Sequence, residues 1–188
     1  MDTTNLNKTV VPDLVTYPRS GLHFFATAFS DATGIQINSG HDITVSNKDI
    51  ITIVRNPTDC FASLRSMDKK LGEQYVQSDD HYLNQYKEIY SWLITNAKFV
   101  IDFDTMENNI NLIVENICKV YDIEIIRPIF PKEILSNLAK NNGMLNDYVI
   151  DSSKRLSTYQ ENKDYWKNKN LKTQIYLYER LKERSIPV

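Results

Sequence analysis

The chain has 188 residues, enough for one ordinary domain, and 41% hydrophobic, 24% charged and 11% aromatic residues, which excludes disordered and fibrous classes. Lys plus Arg 22 against Asp plus Glu 24 gives a net charge of -2, so no whole-molecule positive field speaks for nucleic acid and any anion site has to be local. No apolar run approaches the roughly 18 residues of a membrane span, and Met1 to Val11 lacks the charged-then-apolar layout of a secretory signal; a single cytoplasmic domain over 1–188, without a membrane span, is expected.

Residues 1–12 are polar and read as a flexible tail. Asp13 to Tyr17 is a brief β-like run that stops at Pro18. Gly21 to Ala32 then has the spacing of a helix that buries Leu22, Phe25 and Phe29 and ends at Gly34. Ile35 to Asn38 is a candidate second strand, with Gly40-His41-Asp42 following in a turn-like setting. Asp49 to Val54 is a continuous apolar strand of the buried parallel type. After it, Arg55-Asn56-Pro57 opens a helix with Cys60, Leu64, Met67 and Leu71 at helical spacing.

Gly72 to Asp80 is a polar connection, long enough for a mobile or substrate-facing loop. Asp80 to Asn96 returns to helix, with Tyr82, Tyr86, Ile89 and Leu93 on one side as a core stripe. Lys98 to Phe103 predicts another strand and Asn109 to Tyr121 another amphipathic helix. Lys132 to Lys140 and Leu171 to Glu183 read as helices, while the polar segment from Asn141 to Asn170 has no assignable pattern. Strands alternating with helices of this length predict an α/β sheet with crossover helices and a helical C-terminal part. Cys60 and Cys118, the only cysteines, lie in helix-like apolar patterns and read as buried small hydrophobes rather than a disulfide or zinc site; no structural metal is expected.

Two segments carry chemistry. Thr16-Tyr17-Pro18-Arg19-Ser20-Gly21-Leu22-His23-Phe24 lies between the first strand and the first helix, where a parallel sheet opens its ligand crevice. Helix-start amides, the small Gly21, the Arg19 cation and the Ser20 hydroxyl suit an anion there. The pattern GxxxxGK[ST] is absent, which disfavours an ATP or GTP hydrolase of the usual kind. The second segment, Arg55-Asn56-Pro57-Thr58-Asp59 and then Ser63, also runs from a strand end into a helix. Either Arg55 makes a bidentate contact with a phosphate and Ser63 faces the same crevice, or Arg55 pairs with Asp59 and Ser63 merely packs.

Taken together, TYPRSGLHF and RNPTDCFAS resemble the paired motifs of the sulfotransferase family, which read roughly TYPKSGTTW and RNPxDxxxS. The resemblance covers about Leu14 to Ser63, and more loosely Lys98 to Met106. It implies a three-layer sandwich with a central, mostly parallel sheet flanked by helices, of the P-loop-like sulfotransferase kind. It also implies 3′-phosphoadenosine 5′-phosphosulfate as donor and 3′-phosphoadenosine 5′-phosphate as product, with a small-molecule or carbohydrate acceptor. By position, Arg19 takes the place of the family's Lys at the leaving oxygen. Ser20, Gly21, Leu22 and His23 would line the 5′-phosphate, Phe24 matches the aromatic near adenine, and Arg55 with Ser63 matches the pair at the 3′-phosphate. The family's two Thr after the glycine are Leu22 and His23 here, and its third element, resembling RKGxxGDW, is missing; Lys154-Arg155 and Asp164 to Lys167 match its halves without its spacing.

His41, in the order of the family's KTHD histidine, is the candidate general base, with a surface turn histidine as the other reading. His81, beside Asp79 and Asp80, reads as solvated, and Asp102, Asp104 and Glu107 read as a helix-start cluster. A sulfuryl group carries less negative charge than a phosphoryl group, so Arg19, helix amides and a histidine suit its transfer without a metal. Two alternatives compete: a non-catalytic module that binds the adenosine bisphosphate, and a small-molecule kinase, which would need a Lys in the glycine loop and a magnesium-binding acid.

Overall fold

The computed structural model describes residues 11–44, 49–141 and 152–187. In chain order these form β1 (Asp13–Val15), α1 (Leu22–Thr33), β2 (Ser39–Gly40), β3 (Ile50–Val54), α2 (Pro57–Leu71), a 3-10 turn (Glu73–Tyr75), α3 (Asp79–Asn96), β4 (Ala97–Asp102), α4 (Phe103–Tyr121), α5 (Pro131–Asn141), α6 (Ser152–Lys167) and α7 (Lys172–Lys182). The expected α/β class is what forms. The four strands make one sheet in the order β2-β1-β3-β4, and every pairing is parallel. All four therefore end at the same edge of the sheet. The chain goes outward from β1 to β2 in one direction and from β3 to β4 in the other, so the switch point falls between β1 and β3.

Strand alternation divides the core in two. Leu14, Ile51, Ile53 and Ile101 face a cluster with Phe25 and Phe29 of α1, Ile113 and Ile117 of α4 and Ile134 of α5. Val15, Ile50, Val54 and Val100 face the opposite cluster with Phe61 of α2, Tyr86 and Tyr90 of α3, Trp166 of α6 and Leu181 of α7. Helices thus cover both faces, which a parallel sheet buried on both sides requires. Cys118 lies in the first cluster and Cys60 in the second, both as free buried thiols. The outer edge of β4 is covered by the C-terminal segment, where Ile186 N–H donates to Val100 O at 2.9 Å. Among the described residues no helix is long and apolar enough to cross a membrane.

Three elements differ from the sequence reading. The second strand is Ser39–Gly40 and not Ile35 to Asn38; the ladder starts only where Asn38 O accepts Leu14 N–H at 2.8 Å and Gly40 O accepts Thr16 N–H at 3.2 Å. Helix α4 begins at Phe103, directly after β4, because Asp102 caps it by accepting Asp104 N–H at 3.2 Å; the expected start, Asn109, is a kink inside it with φ -118° and ψ 15°. The unassigned segment contains α6, whose buried residues Asn162 and Trp166 put a polar side chain in the inward stripe and so hide the helical period. Leu71, at helical spacing with Cys60, Leu64 and Met67, is 48% exposed at the end of α2. The expected tail, residues 1–12, lies outside the described residues except for Val11 and Pro12.

Candidate functional site

The loop after β1 is strained. Arg19 has φ 68°, a left-handed conformation that costs a non-glycine residue about 1–2 kcal/mol, and such conformations gather at ligand clamps. Gly21 follows with φ 92°, and a Cβ there would lie 2.7 Å from Met106 Cε and 3.1 Å from the Phe103 ring. The glycine is thus required both by its dihedral and by the approach of α1 to α4. It also leaves α1 without a side-chain cap. The neighbouring helices that leave the same sheet edge are capped by their own residues, α2 by Asn56 and α4 by Asp102. The first intrahelical bond of α1 runs from Phe25 N–H to Gly21 O, so the amides of Leu22, His23 and Phe24 open toward the crevice with the positive end of the helix dipole.

The loop after β3 reaches this one directly. Thr16 Oγ1 donates to Ile53 O at 2.6 Å and ties the ends of β1 and β3. Arg55 Nη1 donates to Arg19 O at 2.8 Å, and its guanidinium lies 4.1 Å over the Phe103 ring. Arg19 Nε in turn donates to Ser63 Oγ at 3.1 Å, with Nη1 3.8 Å from Met67 Sδ. Arg19, Arg55 and Ser63, drawn from two loops and the second turn of α2, therefore form one cluster. The reading in which Arg55 pairs with Asp59 is not what forms: Asp59 binds Lys163 Nζ at 2.6 Å and accepts from Tyr159 OH at 2.6 Å, both on α6. Burial raises the Asp59 pKa, but these two bonds together with the charges of Lys163 and Arg55 outweigh it and hold the carboxyl below its ordinary range.

His41 directly follows β2, and its Nδ1 is 2.6 Å from Thr16 O. A carbonyl only accepts, so the proton of the neutral ring sits on Nδ1 and the lone pair on Nε2. His23, on the first turn of α1, has its pKa lowered by partial burial and then by His41 and Arg19, which places the three side chains in one electropositive neighbourhood. No known protein family matches the chain, and no curated protein is significantly similar to it. The site is accordingly read from its own geometry.

Of the residues singled out in the sequence, Arg19, Gly21, His23, His41, Arg55 and Ser63 stand around the crevice between β1 and β3. Three others point elsewhere. The Ser20 side chain is fully buried, its Oγ 3.5 Å from Cys60 Sγ, so its hydroxyl faces inward and not toward an anion. Leu22 and Phe24 belong to the core cluster under α1, which leaves only their main-chain amides at the crevice and turns the Phe24 ring away from a base-stacking position. Lys154 and Arg155 fall in α6, but their side chains lie outside the described residues. His81 is exposed at the start of α3. The connection at 72–78 hydrogen-bonds within itself and to Tyr82.

Sequence reasoning missed Phe103, Tyr159 and Lys163. The sequence pattern ends a strand at Phe103, and the two residues of α6 lie in the segment without a readable period.

Proposed function

We propose that the crevice binds 3′-phosphoadenosine 5′-phosphosulfate and that the protein transfers its sulfuryl group to a hydroxyl or amine of an acceptor, as a small variant of the P-loop-like sulfotransferase fold. The observation that supports this is the meeting of the two arginine-bearing loops, with Arg55 on Arg19 O at 2.8 Å and Arg19 on Ser63 Oγ at 3.1 Å, beside a helix start that lacks its own cap. One molecule bearing anions at both ends suits that arrangement. Arg55 and Ser63 would grip the 3′-phosphate, and Arg19 with the amides of Leu22, His23 and Phe24 would face the 5′-phosphosulfate.

In the reaction the acceptor oxygen or nitrogen attacks sulfur in line with the bond to the 5′-phosphate oxygen. That bond breaks and its electron pair stays on the departing bisphosphate. The acceptor proton passes to His41 Nε2, whose ring is held in the required tautomer by Thr16 O. The charge left on the 5′-phosphate faces the α1 amides and His23. For Arg19 to stabilise that oxygen, its guanidinium has to turn away from Ser63 as the donor enters.

Thermal denaturation with added ligands tests the reading. 3′-Phosphoadenosine 5′-phosphate is expected to raise Tm, ATP with magnesium to do little, and Arg55→Ala to abolish the shift. His41→Ala should retain the shift and lose sulfuryl transfer across an acceptor panel. Equal stabilisation by ATP would favour the kinase, and binding without transfer would leave a bisphosphate-binding module.

A further inference from the structure

The main chain of Arg55 lies between two regular elements and belongs to neither. The β3–β4 ladder ends at Val54 opposite Asp102, and the first bonds of α2, from Asp59 and Cys60 N–H, go to Asn56 O. Without side-chain partners from α3, Arg55 N–H would be orphaned beside the core and its C=O would keep only a weak contact from Cys60 Sγ at 3.8 Å, a costly state for buried peptide groups. Two phenols from α3 meet them. Tyr90 OH accepts from Arg55 N–H at 3.0 Å and lies 3.2 Å from Arg55 O, to which Tyr86 OH donates at 3.0 Å.

The two rings are four residues apart on one helix, are fully buried, and stack with centroids 3.8 Å apart and planes 16° from parallel. A core stripe needs only apolar volume at these places, and Phe would supply it. Two hydroxyls converging on a single peptide group is a different requirement.

We propose that Tyr86 and Tyr90 are positioning residues for the anion grip: they fix the peptide groups of Arg55 and so aim its guanidinium at the Arg19 loop. The inference deepens the reading of the site as an anion grip and rests on it for its consequence. From the fixed main chain the Arg55 side chain passes over Phe103 and donates to Arg19 O. An Arg55 peptide free to rotate would let that bond and the guanidinium wander together. Burial holds both phenols protonated at every ordinary pH, so the donors are always in place.

The test uses Tyr86→Phe, Tyr90→Phe and the double variant of the full chain, each of which keeps the ring and its packing. The double variant should still unfold cooperatively and should bind 3′-phosphoadenosine 5′-phosphate about tenfold or more weakly. In an Arg55→Ala background, whose residual weak binding is read by titration at high ligand concentration, the same two substitutions should cause no further loss, because their effect runs through that side chain. Unchanged affinity, or a loss that persists without Arg55, would overturn the proposal and leave the tyrosines as core.

A ligand-free measurement separates this from the reading of the site. Hydrogen exchange at the Arg55 amide should quicken about tenfold in Tyr90→Phe, while that at Val54 stays unchanged. Wild-type protein that binds no bisphosphate would remove the anion grip yet leave the fixing of Arg55 standing on that exchange result; equal exchange at Arg55 in variant and wild type would remove the fixing itself.

Discussion

Arg55 Nη1 donates to the carbonyl of Arg19 across 2.8 Å. The bond joins the loop after β3 to the loop after β1, and the residue it reaches is the one held at φ 68°. The arginine of the second segment thereby helps maintain the strained turn of the first. A left-handed conformation persists only where its surroundings over-determine it, and here they are a guanidinium on one side and Ser63 on the other.

Arg55→Lys keeps the charge and removes the planar fork. An ammonium on a flexible stem cannot lie flat on Phe103 and reach Arg19 O together. We expect a loss of stability of about 1 kcal/mol and a drop of about tenfold or more in affinity for 3′-phosphoadenosine 5′-phosphate, read by denaturation and by calorimetric titration. Binding equal to wild type would mean that charge alone serves at this position.

Gly21→Ala tests the start of α1. The new methyl would lie 2.7 Å from Met106 Cε at a φ of 92°. Met106 can move its terminal methyl, but the dihedral penalty stays. The expected cost is about 1–3 kcal/mol, measured by urea denaturation, and Met106→Ala should recover only part of it. Full recovery would show that space, not backbone conformation, selects the glycine.

The sequence carried the part of this architecture that depends on local pattern. The apolar runs of β3 and β4, the helix between Gly21 and Gly34, and Pro57 at the head of α2 are legible because each element's own residues decide it. The site was legible in its two loops for the same reason. What was hidden depends on distant partners. Nothing near Asp59 in the sequence names Lys163 as its partner, because that contact crosses 104 positions of chain. Ser20 looked like an anion donor until the packing of Cys60 turned its hydroxyl inward. The core stripe read in α3 includes Tyr86 but not Tyr90, although both are buried, and nothing in a helical stripe tells which peptide group their hydroxyls will meet.

His23 gives a pH prediction. Partial burial, His41 and Arg19 lower its pKa, whereas in the unfolded chain it titrates near its ordinary value of about 6.5. As pH falls below that value the unfolded chain takes the proton first, so His23 lowers stability between its ordinary and its folded pKa. Denaturation across that window should show stability falling with pH, and His23→Gln should flatten the slope. By NMR the His23 ring should titrate below the ordinary histidine range, shift upward in His41→Gln, and shift upward again when the bisphosphate binds. A ring that titrates at the ordinary value would place His23 in solvent, away from His41 and Arg19.

The Asp59 pair tests how α6 supports the grip. Its carboxyl is held below the ordinary range because the bonds from Lys163 and Tyr159, together with the charges of Lys163 and Arg55, outweigh the effect of burial. A depressed carboxyl contributes stability above its unfolded pKa of about 3.9 and loses it as pH falls through the folded value. Both side chains are partly exposed, so the pair is worth about 1 kcal/mol or less. Lys163→Met keeps the stem and removes the charge, and it should make the acid limb of the stability curve shallower while leaving α6 anchored by Trp166, whose ring centroid lies 4.8 Å from that of Phe61. If the acid limb keeps its wild-type steepness, Lys163 does not set the Asp59 pKa, and Tyr159→Phe should then flatten it instead.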